Sequence, residues 1–408
     1  MTNGIWQKLS QTQIQDRINS ALKQNVSFIN QSVLGVPGSF LDTLVFDQEA
    51  NFLEDAPFLR TLLENPNHIG CHTLDMSEPF FEGSHAIERE LLEICAVEIL
   101  QAQAKSYDGY VASGGTEANI QALWIYRNYF QQDCSARLDE ILVLGSEDTH
   151  YSIDKAANLL ALDVKKIPVD ENDRDIDQAA FQQILHDAKT EGKTCIIFIG
   201  NMMTTMFGSV DNIDAAAATL EQSGLSYKIH VDGAYGGFYY PFSDPQNSMT
   251  FANSHISSFT LDAHKMAQAP YGTGIFLIRK GLIEYANTQE ASYVRGEDYT
   301  LVGSRSGANA IASWMILSRH GKQGWFDKIR TLQARADGFA KGLDGLGIQY
   351  FRNPFSNIIT MRSEFVAPAL AERNYLVPDD HHSPAWQKIV VMEHVTQARL
   401  DELLSALA

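Results

Sequence analysis

The sequence predicts an α/β fold in which a mostly parallel sheet is covered by helices on both faces. Short apolar segments alternate with helical stretches between residues 110 and 278, as in a series of strand–helix units. Segments that are almost entirely apolar, such as 194–199, are typical of parallel strands because both faces of such a sheet are buried. After residue 308 the pattern changes, which predicts a smaller C-terminal α+β domain.

The predicted elements follow one another in an order that suits this fold. Helical periodicity covers residues 85–104, 116–131, 151–161, 211–223, 308–320 and 324–345. Apolar, strand-like segments lie at 110–112, 141–144, 164–169, 194–199, 227–231, 255–261, 274–278, 358–361 and 389–392. The N-terminal part has an amphipathic start followed by many glycines and prolines. We therefore expect an N-terminal segment at 1–84, a large domain at 85–307 and a small domain at 308–408.

The charge and hydropathy of the chain exclude several classes of protein. The 408 residues carry a net charge of −19, so the basic patches that bind nucleic-acid phosphates are not expected. The first residues lack a basic region followed by an apolar core, which disfavours a signal peptide. No run of about 18 apolar residues occurs, so no membrane-spanning helix is expected.

The cysteines indicate a reducing compartment. Cys71, Cys95, Cys134 and Cys195 are widely separated and form no C-x-x-C pair. This spacing disfavours a zinc site or a disulfide scaffold. Reduced thiols in a cytoplasmic protein are the expectation, with no bound metal.

A glycine-rich segment between a predicted strand and a predicted helix suits anion binding. It reads Ser113-Gly-Gly-Thr-Glu-Ala-Asn119. Glycines let backbone N–H groups approach an anion, and the following helix N-terminus favours negative charge. The motif is neither a Walker loop nor G-x-G-x-x-G. Taken alone, it also fits a simple turn in which Thr116 caps the helix.

An acid and a lysine end two successive predicted strands. Asp232 follows 227–231, and Lys265 follows 255–261. In open α/β sheets the carboxyl ends of the strands face the ligand crevice. A carboxylate there suits a metal, a ribose or a protonated ring nitrogen, and a lysine in apolar surroundings suits an amine nucleophile. Each residue alone also fits an ordinary role, as a turn aspartate or a surface lysine.

The glycine-rich segment is followed in the chain by Asp232 and then by Lys265. A sequence with these three features in this order resembles fold-type I pyridoxal-phosphate enzymes, and more closely the group II amino-acid decarboxylases. The resemblance extends from about residue 66 to 395. Archaeal tyrosine/aspartate decarboxylases look similar through 113–123 and 303–307, and bacterial histidine decarboxylases look similar through 148–152. The resemblance implies the fold-type I fold, pyridoxal 5′-phosphate as cofactor, and decarboxylation of an L-amino acid of the tyrosine, aspartate, glutamate or histidine type.

The resemblance also assigns roles around the cofactor. Lys265 would hold it covalently, Asp232 would pair with its ring nitrogen, and His150 would stack on the ring. Met203 stands where many relatives have glycine, so its loop is expected to have a different shape. The whole cofactor-binding set is expected to be Gly115, Thr116, His150, Thr205, Asp232, Ala234, Ser258, His264, Lys265 and Thr273, of which Ser258 and Thr273 are the weaker candidates.

The remaining catalytic roles are less closely defined by the resemblance. Tyr293 stands where aromatic-amino-acid decarboxylases have a proton-donating tyrosine, with Tyr299 as the alternative. Relatives commonly carry an arginine for the substrate carboxylate just before the last strand, where this chain has Lys388. Lys388 and Arg305 are therefore both candidates for the substrate-binding cation. Residues 68–73 and 80–81 are candidates for lining the side-chain pocket.

The resemblance further implies a homodimer with shared active sites, in which the N-terminal segment wraps the partner. Two other activities stay open: a fold-type I carbon–carbon lyase and an aldehyde-forming oxidative deaminase. A catalytically silent homologue is the alternative outside enzymes. The presence of Lys265, Asp232 and His150 together argues against that alternative.

Overall fold

A seven-stranded sheet forms the centre of the protein, seen here in a computed structural model that describes residues 32–35, 42, 44–45, 82–286 and 297–408. Its strands are β1 (Tyr107–Ala112), β2 (Ile141–Ser146), β3 (Asp163–Ile167), β4 (Cys195–Asn201), β5 (Ser226–Asp232), β6 (Ile256–Asp262) and β7 (Gly274–Arg279). They lie in the order β1-β7-β6-β5-β4-β2-β3. Only β7 is reversed, since it pairs antiparallel with both β6 and β1. The predicted mostly parallel sheet is confirmed.

Helices cover both faces of this sheet, as predicted. They are α1 (Glu82–Glu93), extended by a π-helical turn at Ile94–Ile99, α2 (Gly115–Asp133), α3 (Ser152–Leu160), α4 (Gln178–Thr190), α5 (Ile213–Ser223) and the short α6 (Tyr240–Ser243). Alternate residues of β4 serve the two faces: Phe198 packs in one apolar cluster, while Ile197 packs in the other. The sequence prediction missed α4, which begins after the N-cap Asp177 and buries Phe181 and Leu185.

The C-terminal part has its own sheet and apolar core. A long helix, α7 (Gly307–Leu346), leads into it and is broken at Gly321, where φ is +62°. This break explains why two separate helices were predicted there. An antiparallel sheet follows in the order β10-β11-β9-β8. Its strands are β8 (Tyr350–Phe351), β9 (Ile358–Arg362), β10 (Val377–Pro378) and β11 (Trp386–Val390), and its helices are α8 (Pro368–Arg373) and α9 (Gln397–Leu407).

The loops after the parallel strands meet this smaller part of the protein. The loop after β4 is bound to the small sheet, because Thr360 Oγ1 donates to Met206 O at 2.9 Å and Phe207 packs edge-on against Trp386. Within the described residues, no helix combines the length and the apolar character needed to cross a membrane. The carboxyl edge of the large sheet, facing the small domain, is therefore the natural place for a ligand crevice.

Candidate active site

A cavity of about 420 Å³ opens at the carboxyl edge of the large sheet. The loops that follow β1, β2, β4, β5 and β6 all contribute to its wall. The residues that line it include Ser113, Gly114, Gly115, Thr116, Glu117, Asn119, His150, Tyr151, Ser152, Asn201, Met203, Thr204, Thr205, Asp232, Ala234, Tyr235, Asp262, His264, Lys265 and Tyr271. One cavity thus contains the glycine-rich segment 113–119, which forms an anion cradle, together with Asp232 and Lys265. These residues are far apart in sequence.

The glycine segment packs too tightly for side chains. A Cβ atom on Gly115 would lie 2.8 Å from Asp262 Oδ2, and one on Gly274 would lie 2.5 Å from Gly114 Cα. Glycine at these positions lets the start of β7 and the β6 loop press against the first turn of α2. The N-terminus of α2 therefore opens into the cavity with its N–H groups accessible to an anion.

A buried hydrogen-bond network holds Asp232 in place. Asp232 Oδ2 accepts from Asn119 Nδ2 at 2.9 Å, and Oδ1 accepts from the Ala234 N–H at 3.1 Å. Asn119 Oδ1 in turn accepts from His230 Nε2 at 3.0 Å. Burial lowers the pKa of His230 to about 4, against the opposing effect of Asp232, so this imidazole is neutral at pH 7. Asp232 is thus oriented by two neutral donors, the Asn119 amide and the Ala234 N–H.

His150 is oriented by the first turn of α3. Its Nδ1 accepts from the Ser152 N–H at 3.2 Å and lies 2.8 Å from Ser152 Oγ. An accepting Nδ1 places the proton of the neutral ring on Nε2. Burial lowers the pKa of His150, against the opposing effect of Asp232. The result is a neutral, fixed imidazole in the cavity wall.

Lys265 and Asp262 form an ion pair at the base of the cavity. Lys265 Nζ lies 3.1 Å from Asp262 Oδ2. Burial disfavours the charged amine, but Asp262 and then Asp232 outweigh it, so the pKa of Lys265 is raised. Asp262 Oδ1 and His264 Nδ1 are buried and have no hydrogen-bond partner among the described residues. Polar atoms in this condition indicate that a bound group would complete their hydrogen bonding.

Most of the expected cofactor-binding residues lie in this cavity. Those in its wall are Gly115, Thr116, His150, Thr205, Asp232, Ala234, His264 and Lys265. Two expectations are corrected. Ser258 is fully buried behind the site, where its Oγ bonds His230 Nδ1 at 2.6 Å, so it supports the network instead of touching a ligand. Thr273 is also fully buried and donates to Pro270 O at 2.8 Å, which shapes the turn after the lysine.

The two candidate cations have different surroundings. Arg305 does not line the cavity, because its guanidinium is buried against Glu88, with Nη2 3.2 Å from Glu88 Oε2. The described residues thus give Arg305 an ion pair with Glu88 and no contact with the cavity, and its role in substrate binding stays a prediction. Lys388 is also buried, but it lies beside the cavity, where its Nζ donates to Thr205 O at 2.9 Å. Burial, followed by repulsion from Lys265, lowers the pKa of Lys388 to about 8.

The other expected site residues fall in different places. Tyr293, 68–73 and 80–81 lie outside the described residues. Tyr299 is described, and its hydroxyl bonds Glu297 instead of entering the cavity wall. Met203 has φ of +68°, a left-handed conformation that favours glycine, and its side chain is buried in the wall. The backbone conformation that suits glycine is therefore present with methionine in its place.

Sequence reasoning missed several residues of the wall. Asn119 was quoted in the cradle motif without a role, although it lies one helical turn after Gly115 and so shares its helix face. Asp262 precedes Lys265 by three residues in a turn, which brings their side chains together. Tyr151 and Tyr271 are both largely exposed at the cavity, with rings against His150 and His264 at centroid distances of 4.2 and 4.8 Å.

The cavity fits pyridoxal phosphate. The α2 cradle that a Cβ would fill suits a phosphate, Asp232 suits a protonated ring nitrogen, His150 suits ring stacking, and the amine of Lys265 suits covalent attachment. The unpaired His264 Nδ1 leaves a ring nitrogen that can donate to such a group. Fold and site together define a fold-type I pyridoxal-phosphate enzyme.

Comparison with known proteins narrows this class. The pyridoxal-dependent decarboxylase conserved domain matches residues 69–348. Tryptophan decarboxylase of Clostridium sporogenes is 45% identical over 401 residues, which cover 98% of this chain and 96% of that protein. Histidine decarboxylase of Vibrio campbellii is 30% identical over 72% of each chain. The fold matches L-methionine decarboxylase from Streptomyces sp.590 with a TM-score of 0.78 at 21% identity, over 98% of this chain and 95% of that one.

The chain belongs to the pyridoxal-dependent decarboxylase family. It is a pyridoxal-phosphate-dependent amino-acid decarboxylase, as the motifs of the sequence predicted. The amino acid on which it acts is a separate question, because the residues described so far mainly serve the cofactor.

Proposed function

We propose that this enzyme decarboxylates an aromatic L-amino acid, with L-tryptophan as its substrate, to give tryptamine and CO₂. The observation that carries the proposal is the composition of the cavity wall. Tyr151 and Tyr271 present large exposed rings at the cavity, and no arginine lines it within the described residues. Aromatic walls favour an aromatic side chain, whereas the carboxylate of aspartate or glutamate would require a cation.

Sequence similarity supports the same substrate. The Clostridium sporogenes relative named as a tryptophan decarboxylase aligns with nearly the whole chain at 45% identity. The relatives named for tyrosine, aspartate or histidine are between 27% and 30% identical over smaller shares of the chain. An aromatic substrate thus agrees with both the wall and the relative that aligns over the greatest length among these.

Each residue of the site would have a defined task in this reaction. When bound, pyridoxal phosphate supplies an electron-accepting ring that stabilises the charge left on the substrate carbon as CO₂ departs. Asp232, fixed by Asn119, would keep a positive charge on the ring nitrogen. His150 would present a neutral imidazole face, with the proton on Nε2. Lys265 Nζ would hold the cofactor until the substrate amine takes its place, and the released amine would then remain beside Asp262 at the base of the cavity.

Lys388 is proposed to bind the substrate carboxylate. Its ammonium has three donors, and the contact with Thr205 O uses one of them. Thr205 lines the cavity and Lys388 lies directly behind it, so the ammonium would have to leave Thr205 O and turn into the cavity to reach the carboxylate. The proton that replaces CO₂ on the substrate is assigned to Tyr293. Tyr299, the alternative, is a weaker acid because burial and Glu297 raise its pKa.

The assembly is proposed to be a cytoplasmic homodimer with shared active sites. Large apolar side chains outside the cavity remain exposed on the protomer, among them Leu301 and Val302. Exposed apolar groups of this kind are typical of surfaces covered by a partner. Sedimentation of the holoenzyme tests this proposal: a fully active monomer would refute it.

A product assay tests the proposed activity. Purified holoenzyme is incubated separately with each of the twenty amino acids, and CO₂ and the amine are quantified. Tryptamine and CO₂ in equal amounts are expected, with Lys265→Ala as the inactive control. Preference for aspartate or glutamate would overturn the substrate assignment. Aldehyde or ammonia without amine would favour an oxidative deaminase, and cleavage without CO₂ would favour a carbon–carbon lyase.

A further inference from the structure

A buried cluster of charged side chains lies outside the cavity wall. Asp42 Oδ2 accepts from His320 Nε2 at 2.6 Å and from Lys328 Nζ at 3.1 Å. Lys328 also lies 3.1 Å from Glu393 Oε2. The side chains of Asp42, His320 and Lys328 are at most 5% exposed. The cluster therefore joins the N-terminal segment, both halves of α7 and the chain after β11 in one place.

The cluster is hydrogen-bonded to Gln268, which lies in the turn that follows Lys265. Lys328 Nζ donates to Gln268 Oε1 at 2.8 Å, and the Asp42 N–H donates to Gln268 O at 3.3 Å. The Gln268 N–H donates to Lys265 O at 3.1 Å. Two hydrogen bonds thus fix Gln268 from the cluster side, and a third passes from Gln268 to the backbone of Lys265.

Gln268 has a backbone conformation that needs such support. Its φ is +57°, in the left-handed region that residues with a Cβ rarely adopt. A strained residue of this kind persists when its surroundings hold it. Burying the Asp42 carboxylate and the Lys328 ammonium contributes little net stability compared with an apolar core of the same shape. The directional hydrogen bonds of the cluster, in contrast, define the position of the turn.

We propose that Asp42 and Lys328 are positioning residues for Lys265, and that through them the N-terminal segment controls cofactor retention without touching the cofactor. They act by fixing the position of Gln268. Gln268 in turn orients the backbone of Lys265 through the hydrogen bond between them. Cofactor binding does not involve the substrate, so this role of Asp42 and Lys328 is the same whichever amino acid the enzyme decarboxylates.

Lys328→Met, with Lys193→Met as its matched control, tests the proposal. Lys193 is likewise a buried lysine, paired with Asp163, but it precedes β4 at the opposite edge of the sheet. Pyridoxal 5′-phosphate is titrated into each cofactor-free protein and binding is followed by visible absorbance. The dissociation constant is expected to rise at least about ten-fold for Lys328→Met and less than about two-fold for Lys193→Met. Equal changes in the two variants would overturn the proposal.

A double-mutant cycle separates positioning from general loss of stability. If Lys328 acts through Gln268, Lys328→Met should weaken binding much less in a Gln268→Ala background than in the wild type. Strictly additive effects would refute the route through Gln268. Should Lys328→Met not fold, Asp42→Asn carries the same comparison, because it removes the charge at nearly constant volume. Unchanged cofactor binding by folded Asp42→Asn protein would likewise refute the proposal.

Discussion

The pH dependence of substrate binding gives a quantitative test of the role proposed for Lys388. Burial and Lys265 lower the pKa of Lys388 from 10.5 to about 8. This lysine is therefore about 90% charged at pH 7 and about 10% charged at pH 9. If its charge binds the substrate carboxylate, kcat/KM for L-tryptophan should fall about ten-fold over this interval because the cation is lost.

Lys388→Arg isolates this effect from other titrating groups. Arginine keeps its charge at pH 9, so the fall in kcat/KM due to position 388 should disappear. The amine of the substrate titrates identically with both enzymes and cancels in the comparison. Initial rates measured from pH 6.5 to 9.5 provide the assay. The same alkaline decline in wild type and Lys388→Arg would show that Lys388 does not bind the carboxylate through its charge.

Lys388→Met gives the complementary measurement. Loss of a charge-assisted contact should raise KM about ten- to hundred-fold at pH 7. Charging the buried lysine costs the fold about 3 kcal/mol, as the lowered pKa implies, so the methionine variant should unfold at or above the wild-type temperature. A loss of activity accompanied by a lower melting temperature would point to a structural role instead.

Three further variants test other parts of the structure. Asn119→Leu removes a donor to Asp232 and should weaken pyridoxal-phosphate binding about ten-fold or more in an absorbance titration; unchanged affinity would contradict the network. Glu88→Gln leaves the buried Arg305 without its carboxylate and should cost about 3 kcal/mol in denaturant unfolding, whereas a loss below about 1 kcal/mol would count against that pairing. Burial raises the pKa of Asp211 to about 7, so the folded state holds its proton more tightly than the unfolded state, and stability should fall as pH rises from about 4 to 7. Asp211→Asn should reduce that fall, and an identical pH profile of unfolding would refute the assignment.

The fold class could be predicted because local patterns carry it. Segments such as 194–199 are almost entirely apolar and rich in β-branched residues, so they indicate buried parallel strands on their own. The direction of β7 could not be read in the same way. A strand has the same side-chain pattern in either direction, and the reversal depends on its partners β6 and β1. Helix α4 could have been found from its N-cap Asp177 and the spacing of Phe181 and Leu185.

Site residues that belong to a recognisable motif could be predicted from the sequence. Contacts between residues that are distant in the sequence could not. Asp232 was found because it ends the apolar strand β5, and Lys265 because it closely follows the apolar strand β6. The ion pair of Arg305 could not be predicted, since its partner Glu88 is 217 residues away in sequence. The same holds for Ser258, whose strand position gives no indication that His230 and Tyr126 both bond its hydroxyl.

The close packing of Gly274 against Gly114 has a consequence for the order of folding. The anion cradle belongs to the chain just after β1, yet β1 pairs in the described sheet with β7 alone, which begins at Gly274. A chain emerging from the ribosome thus produces its cradle early but cannot fix it until β7 has been made. Contacts between such distant segments form slowly. We therefore expect pyridoxal phosphate to bind late in folding, after β7 has joined the sheet.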